Sequence, residues 1–220
     1  MTDGDRWLLA LDTATNTIVV GAGTMDGVLL AEDTFEGRYR HSQELLPALE
    51  RLLGRAGLRL AALSGVIVGT GPGAFTGLRV GLATAKTLAH ELGVPVVGVP
   101  TSEALIAGVD GVNRLWLPSG ARDRLRVARG APPEIVHGDA AVDDDDIAVD
   151  LDGRAPDAAL ARGRVAVAAL PGSLLRIGAA RLAAGESDDP ERLVPAYAVP
   201  PRGAPSTDSE GGVAWSRDPR

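Results

Sequence analysis

The sequence predicts an α/β fold in which a mixed sheet is flanked by helices. Three apolar segments come first, and the Asp26-Gly27 pair between the second and third is a hairpin signal. Amphipathic segments then alternate with short apolar ones, as they do when parallel strands are joined through helices. The predicted strands are 7–11, 17–22, 28–35, 65–68 and 95–99, and the predicted helices are 42–53, 75–92 and 102–107.

The first two predicted helices carry signals at their ends. The first begins at Ser42, a residue type that favours helix N-termini, and we expect Gly54 to end it. Its leucines recur at helical spacing, which predicts one buried face. The second helix follows a glycine-rich loop, 69–74, and ends near Leu92.

Beyond about residue 108 the pattern is less regular, and short apolar runs are the main signals. We expect three short strands and one further helix that Gly185 closes. In chain order these are the strands 115–117, 125–128 and 164–170 and the helix 173–184.

Two polar stretches in this half predict no packed structure. The four carboxylates Asp143–Asp146 indicate a solvated loop rather than a metal site. Residues 200–220 are rich in Pro, Gly, Ser and charge, which predicts a disordered tail. We therefore divide the chain into an N-terminal lobe that carries the helices (1–105), a smaller divergent lobe (106–199) and the tail.

Composition excludes several classes of chemistry. The chain has no cysteine, which excludes disulfides, thiolate nucleophiles and cysteine metal sites. Its net charge of −7 argues against a nucleic-acid-binding surface of its own. We find neither a signal peptide nor a segment of roughly 18 apolar residues, so we expect a cytoplasmic protein without a membrane segment.

The glycine-rich loop permits two interpretations. Gly69, Gly71 and Gly73 supply backbone freedom just before a helix, where outward amide N–H groups can bind an anion. The same residues can equally form only a tight connection between strand and helix. No Gly-Lys-Ser/Thr sequence ends the loop, so it is not a Walker loop.

Small residues recur every fourth position along the second helix. Gly77, Gly81, Ala85 and Ala89 therefore lie on one face, and such a face lets a neighbour approach closely. That neighbour is either a helix of another protein or the chain's own sheet, and the spacing does not distinguish the two.

Catalytic constellations are not evident. The histidines His41, His90 and His137 have no neighbouring histidine at ligand spacing, so a histidine metal site has little support. Asp12 ends an apolar strand beside Thr13, where a carboxylate can hold a metal–phosphate complex or close an Asx turn.

Five stretches together resemble one known family. They are 11–14, 41–47 and 71–86, with 183–186 and 195–197 near the other end. They are similar to the family of the bacterial tRNA threonylcarbamoyladenosine biosynthesis protein TsaB, also called YeaZ. The resemblance is strong over 7–105, thin over 106–170 and moderate over 171–201.

This resemblance implies an actin-like, ribonuclease-H-like fold with two related lobes. It also implies a noncatalytic scaffold that dimerises with and supports a TsaD transferase, together with a TsaE ATPase. The chain would need no cofactor of its own, because ATP and metal belong to the partner subunits, and tRNA would be reached only through the complex.

The resemblance further implies a partner surface on the first two helices and a vestigial nucleotide or phosphate loop at Asp12 and Thr13. The same helices would serve in a homodimer. The expected partner residues are His41, Ser42, Leu45, Leu49, Phe75, Gly77, Leu78, Gly81 and Ala85.

The chain departs from related patterns at three places. The catalytic paralogue has a His-x-x-x-His metal pair where this chain has Thr101 and Leu105, which implies that the metal site is missing. The Asp-Ala-Arg of the family is replaced by Gly120-Ala121-Arg122, and Val199 stands where an arginine is usual.

Two other functions are considered as alternatives to the scaffold. One is a glycoprotease-like peptidase, which requires a metal or an activated nucleophile that the sequence does not show. The other is a homodimeric regulatory protein, which would use the same helix face. Copurification with TsaD-like and TsaE-like proteins would discriminate this second rival from the scaffold.

Overall fold

A computed structural model describes residues 6–37, 40–120, 122–138 and 140–197 and contains two sheets flanked by helices. The elements in chain order are β1 (Trp7–Asp12), β2 (Thr17–Gly23), β3 (Leu29–Glu36), α1 (His41–Ala56), β4 (Leu63–Gly69), α2 (Phe75–Leu92), β5 (Val96–Val99), α3 (Thr101–Ala107), β6 (Arg114–Ser119), β7 (Asp123–Ala128), β8 (Glu134–Val136), β9 (Ile147–Ala148) and α4 (Asp157–Ala183).

The first sheet has the strand order β3-β2-β1-β4-β5. β1 pairs antiparallel with β2 and parallel with β4, and β5 is parallel to β4. Every residue of β1 is buried, because helices cover both faces of this sheet. A strand buried on both faces needs a continuous apolar run, which is why the segment was recognisable in the sequence.

The second sheet repeats this arrangement in shorter form. Its order is β8-β7-β6-β9, in which β6 and β7 as well as β7 and β8 are antiparallel and β9 is parallel to β6. These are the order and the directions of β3-β2-β1-β4 in the first sheet. The predicted fold class, with two related mixed sheets flanked by helices, is thereby confirmed.

The side chains of β1 alternate between two apolar cores. Trp7, Leu9 and Leu11 point towards α1 and α2, whereas Leu8 and Ala10 point towards α4. The core on the α4 side continues into α3 and the second sheet. The boundary between the two predicted lobes stays a prediction, since both sheets share this core. The predicted tail, 200–220, lies outside the described residues.

The C-terminal half of the described chain differs from the prediction. The predicted strand 164–170 is wrong, because these residues belong to α4 together with most of the predicted helix 173–184. Its alternating Val and Ala resemble a strand locally, but Ala and Leu are strong helix formers, and the long helix buries one side against both sheets. In α1, Gly57 rather than Gly54 ends the helix, in the left-handed conformation.

Helix α4 also qualifies, by length and composition, as a membrane span, contrary to the expectation that no segment does so. It is the one such helix among the described residues. The core helix of a soluble protein has the same properties, so this is weak evidence for a membrane. In this fold α4 packs against strands of both sheets.

The acidic run is partly a solvated loop and partly structural. Asp143–Asp145 are exposed, as predicted, whereas Asp146 is buried. The Asp146 carboxylate accepts hydrogen bonds from Trp116 Nε1 at 2.8 Å and Arg114 Nε at 2.7 Å. The sequence could not show this, because these partners lie about thirty residues away.

A C-terminal strap, defined as Asp188–Tyr197, follows α4 and covers the edge strand β5. The backbone N–H of Asp188 donates to Val96 O at 2.8 Å, and the Gly98 N–H donates to Asp188 Oδ2 at 2.7 Å. Arg181 Nη1 donates to Gly98 O at 2.7 Å. The edge strand is therefore protected from pairing with another chain.

The tight packing of α4 on the first sheet can be tested with two of its glycines. A Cβ added at Gly178 would lie 2.5 Å from the side chain of Ile67, whereas one at Gly172 has open space. Gly178→Ala should lower the free energy of unfolding by about 2 kcal/mol through overpacking. Gly172→Ala should raise it by up to about 1 kcal/mol. Urea unfolding measures both, and equal effects would contradict the packing.

Candidate functional site

The β1–β2 loop, defined as Asp12–Asn16, lies at the centre of the predicted site. Asp12 is fully buried, and its Oδ1 accepts the N–H of Ala14 at 2.8 Å, which closes an Asx turn. Its Oδ2 accepts the hydroxyl of Thr101 at 2.6 Å, and Thr101 Oγ1 accepts the N–H of Gly71 at 3.0 Å. One carboxylate thus joins the loops after β1 and β4 to the start of α3.

The rest of the loop is held by α1, α2 and the turn that precedes α2. Thr13 Oγ1 donates to Gly77 O at 2.7 Å, and Ala14 O accepts the N–H of Ala74 at 2.6 Å. His41 Nε2 lies 3.0 Å from Thr15 O, so this nitrogen carries the proton and donates. His41 is therefore a buried support of the loop.

Glycines in α2 and in the turn before it allow the helix to rest directly on this loop. A Cβ at Gly73 would overlap Ala14 O, one at Gly77 would overlap Thr13 O, and one at Gly81 would overlap Thr13 Oγ1. Where the neighbouring atom belongs to the backbone, no side-chain movement can relieve the overlap. The small-residue stripe is thus explained by packing inside the chain, which is the second of the two alternatives that the spacing left open.

Burial raises the pKa of Asp12 from its usual value of 3.8 to about 6, although the donors Thr101 and Ala14 act in the opposite direction. The role of Asp12 and Thr13 as a vestigial phosphate loop stays a prediction. Asp12 and Thr13 are 0% and 1% exposed, and both side chains are engaged inside the chain.

The predicted partner residues divide into two groups. Ser42 and Phe75 are exposed, and Phe75 retains 39% of its accessible surface. The remaining seven are buried within the chain, where they support α1 and α2 from inside, and their role at a partner surface stays a prediction. These are His41, Leu45, Leu49, Gly77, Leu78, Gly81 and Ala85.

Other residues form the outward surface of the two helices, which pack side by side. Their spacing of three and four positions places them on the faces opposite the core. This outer helix face consists of Gln43, Leu46, Pro47, Glu50 and Gly54 of α1 and Thr76, Ala83 and Thr87 of α2. Glu50 is its charged member, the exposed Arg51 and Arg79 lie at its margins, and Leu46 is 56% exposed. Scarcity of charge at the centre of a surface is typical of protein interfaces.

The positions of the paralogue's metal ligands have structural roles here. Thr101 binds Asp12, and Leu105 is fully buried in the core between the sheets. Within the described ranges, no three His, Asp or Glu side chains are grouped so that they could hold a metal ion.

An aromatic cluster at the start of α2 was not predicted. The rings of Phe75 and Tyr197 stack with centroids 5.0 Å apart, and Arg79 lies 3.8 Å over the Phe75 ring. Arg79 Nε also donates to the Tyr197 hydroxyl at 3.0 Å. The sequence indicated only that Tyr197 belongs to a family-like stretch, since the contact spans 118 residues.

A second unpredicted contact connects the β1–β2 loop to the second half of the chain. The N–H of Asn16 donates to Asp150 Oδ2 at 2.7 Å. Asp150 has a φ of 57°, in the left-handed region that few residues other than glycine adopt. Of the noted departures, Gly120 has a φ of 72°, whereas Ala121 and Val199 lie outside the described residues.

Comparisons with known proteins place this site in a family context. Residues 36–144 match the family model described as tRNA N6-adenosine threonylcarbamoyltransferase. An uncharacterized protein of Mycobacterium leprae is 43% identical over 101 residues, which are 44% of this chain and 28% of that protein. The tRNA threonylcarbamoyladenosine biosynthesis protein TsaB of Bacillus subtilis is 36% identical over 106 residues, 46% of this chain and 43% of that protein.

The solved structure of YeaZ from Pseudomonas aeruginosa is similar over more of the chain. It shares 27% identity with a TM-score of 0.66, and the match covers 87% of this chain and 99% of that one. By contrast, the chain spans less than half the length of the two curated relatives above.

The close approach of α2 to the β1–β2 loop predicts the effect of filling its glycines. Gly77→Ala should lower the free energy of unfolding by about 3 kcal/mol, because the new methyl group meets backbone that cannot move away. Gly54→Ala is a matched control in α1, where a Cβ meets nothing within 4 Å, and should stabilise by about 0.5–1 kcal/mol. Chemical denaturation of both variants checks this, and a neutral Gly77→Ala would contradict the packing.

The raised pKa of Asp12 predicts a pH dependence of stability. The neutral acid favours the folded state, so this stabilisation is complete below pH 3.8 and is lost as pH rises through about 6. Asp12→Asn stays neutral at every pH. Its unfolding free energy relative to the parent chain should therefore rise by about 2–3 kcal/mol between pH 4 and pH 7.5. A constant difference across that range would show that Asp12 titrates normally.

Proposed function

Because the chain is a TsaB/YeaZ-type protein, we propose that it is a noncatalytic subunit in tRNA threonylcarbamoyladenosine synthesis. In this proposal it binds and supports a TsaD-type transferase, and a TsaE-type ATPase completes the assembly. The observation that carries the proposal is the outer helix face, which has one charged residue at its centre and lies on two helices that buried side chains support from inside.

The partner's chemistry follows from the family model that matches this chain. The model describes a threonylcarbamoyltransferase, and the matched residues 36–144 include both α1 and α2. A transferase of that family would carry an equivalent helix pair. Two such pairs can pack face to face as four helices, which buries the apolar residues of the outer helix face.

The noncatalytic part of the proposal is supported by the residues at the paralogue's metal position. Thr101 and Leu105 are poor substitutes for imidazole ligands, and both are committed to internal contacts. We assign ATP and metal to the partner subunits. The acidic net charge of −7 favours contact with tRNA through the complex rather than by this chain alone, in the cytoplasm.

A homodimer is the second candidate, because the outer helix face could also bind a second copy of the chain. The same residues would form the contact with a TsaD-type protein or with a second copy of the chain, so the surface alone does not distinguish these two partners. Copurification with TsaD-type and TsaE-type proteins favours the scaffold, and a stable pair of identical chains that excludes them favours the homodimer.

The outer helix face predicts the effect of a bulky charge at its centre. Ala83→Arg should weaken binding to a purified TsaD-type protein at least tenfold, because an unpaired guanidinium would be buried in the contact. Ala180→Arg is the matched control, an exposed helical alanine on α4. Calorimetric titration measures both affinities, and equal binding by the two variants would place the contact elsewhere.

The function itself is tested by reconstitution. Threonylcarbamoyladenosine formation on tRNA is measured with TsaD-type and TsaE-type proteins and a source of threonylcarbamoyl-adenylate, with and without this chain. Product that depends on the chain supports the proposal. Equal product in its absence would reject it and favour the homodimer.

A further inference from the structure

The C-terminal strap reaches the partner surface after crossing the edge of the first sheet. After its contacts with β5, the strap is held by the buried side chain of Leu193. The N–H of Ala196 then donates to Thr70 O at 2.8 Å. Tyr197 then stacks on Phe75, the first residue of α2. The strap thus reaches the exposed first turn of the helix that supplies half of the outer helix face.

This first turn has few stabilising contacts of its own. The N-cap residue, Ala74, offers no side-chain hydrogen bond, and the turn contains no acidic residue. Helices that begin in this way rely on tertiary contacts to hold their first turn. The strap supplies such a contact from outside, while the Ala74 N–H to Ala14 O bond supplies one from inside.

The strap also fixes a positive charge. Arg79 lies over the Phe75 ring and donates its Nε–H to the Tyr197 hydroxyl, which orients the guanidinium. Among the described residues, no carboxylate forms an ion pair with Arg79. A rigid group of two aromatic rings and an arginine has the composition of an interface anchor.

We propose that the strap-held cluster of Phe75, Arg79 and Tyr197 is the anchor of the partner surface, and that it receives a carboxylate and an apolar side chain of the partner subunit. The inference rests on the proposed function, because the occupant is the TsaD-type protein. The carboxylate follows from charge complementarity, since the oriented Arg79 guanidinium forms no ion pair with a carboxylate in the described part of the chain.

The test uses the full chain and variants of the strap. Tyr197→Ala removes the stacked ring, Tyr197→Phe removes only the hydroxyl, and Arg79→Gln removes the charge. Val194→Ser is the matched control, because Val194 lies on the same strap and is 64% exposed. Affinity for a TsaD-type protein is measured at low and high salt, and hydrogen exchange is followed at residues 75–79.

Tyr197→Ala should weaken binding roughly five- to tenfold, in line with the loss of one stacked aromatic pair, and should speed exchange in the first turn of α2. Tyr197→Phe should have a smaller effect on affinity. Arg79→Gln should weaken binding and reduce its salt dependence, because the ion pair to the partner is lost. Val194→Ser should match the parent chain in both measurements.

Two outcomes overturn the inference separately from the proposed function. Faster exchange without loss of affinity in Tyr197→Ala and Arg79→Gln would make the strap a purely structural clamp. Unchanged affinity together with unchanged exchange in Tyr197→Ala would show that the cluster neither binds the partner nor orders the first turn. If the parent chain binds no TsaD-type protein, the proposed function fails, and the anchor fails with it whatever the exchange shows.

Discussion

The packing of α2 directly on the β1–β2 loop constrains the first sheet and the helices around it. The helix can approach so closely only because glycines face the backbone of Thr13 and Ala14. The approach brings the Thr13 hydroxyl to Gly77 O and the Ala74 N–H to Ala14 O, so backbone polar groups at the loop and at the start of the helix satisfy one another. A side chain at Gly73 or Gly77 would separate the helix from the loop and break these hydrogen bonds.

Asp12 extends this constraint to the loop after β4 and to α3. Its carboxylate is bonded through Thr101 to the N–H of Gly71, so three chain segments share one buried acid. Because burial disfavours the charged form of this carboxyl group, the pKa of Asp12 is raised to about 6. A loop of this composition can serve a phosphate when it faces solvent, but here its polar atoms are used internally.

The interior packing determines what the molecule can offer to a partner. Because the small and leucine-rich stripes of α1 and α2 face inward, the outward faces of these helices are free for a different set of residues. That outer helix face has one charge and is bordered by the Phe75–Tyr197 stack. The strap that carries Tyr197 also protects the β5 edge, so a single segment closes the sheet and shapes the surface.

The sequence by itself determined the elements whose signals are local. The buried run of β1, the hairpin between β2 and β3 and the full extent of α2 from Phe75 to Leu92 were all predicted from periodicity and turn residues. The mixed sheet followed from the order of these elements. Residues at the spacing of a helix or strand share one face regardless of what packs against that face. These patterns can therefore be recognised without the tertiary structure.

Only the tertiary structure decided which neighbour covers each face. The spacing of Gly77 and Gly81 fits a partner helix as well as the chain's own loop, and the fold selected the loop. The residues 164–170 alternate like a strand, yet contacts with two sheets stabilise them as a helix. The burial of Asp12, the Asn16–Asp150 bond and the Phe75–Tyr197 stack depend on residues 89 to 134 positions apart in the chain. Local pattern carries no information about such distant pairs, because their meeting depends on how the whole chain packs.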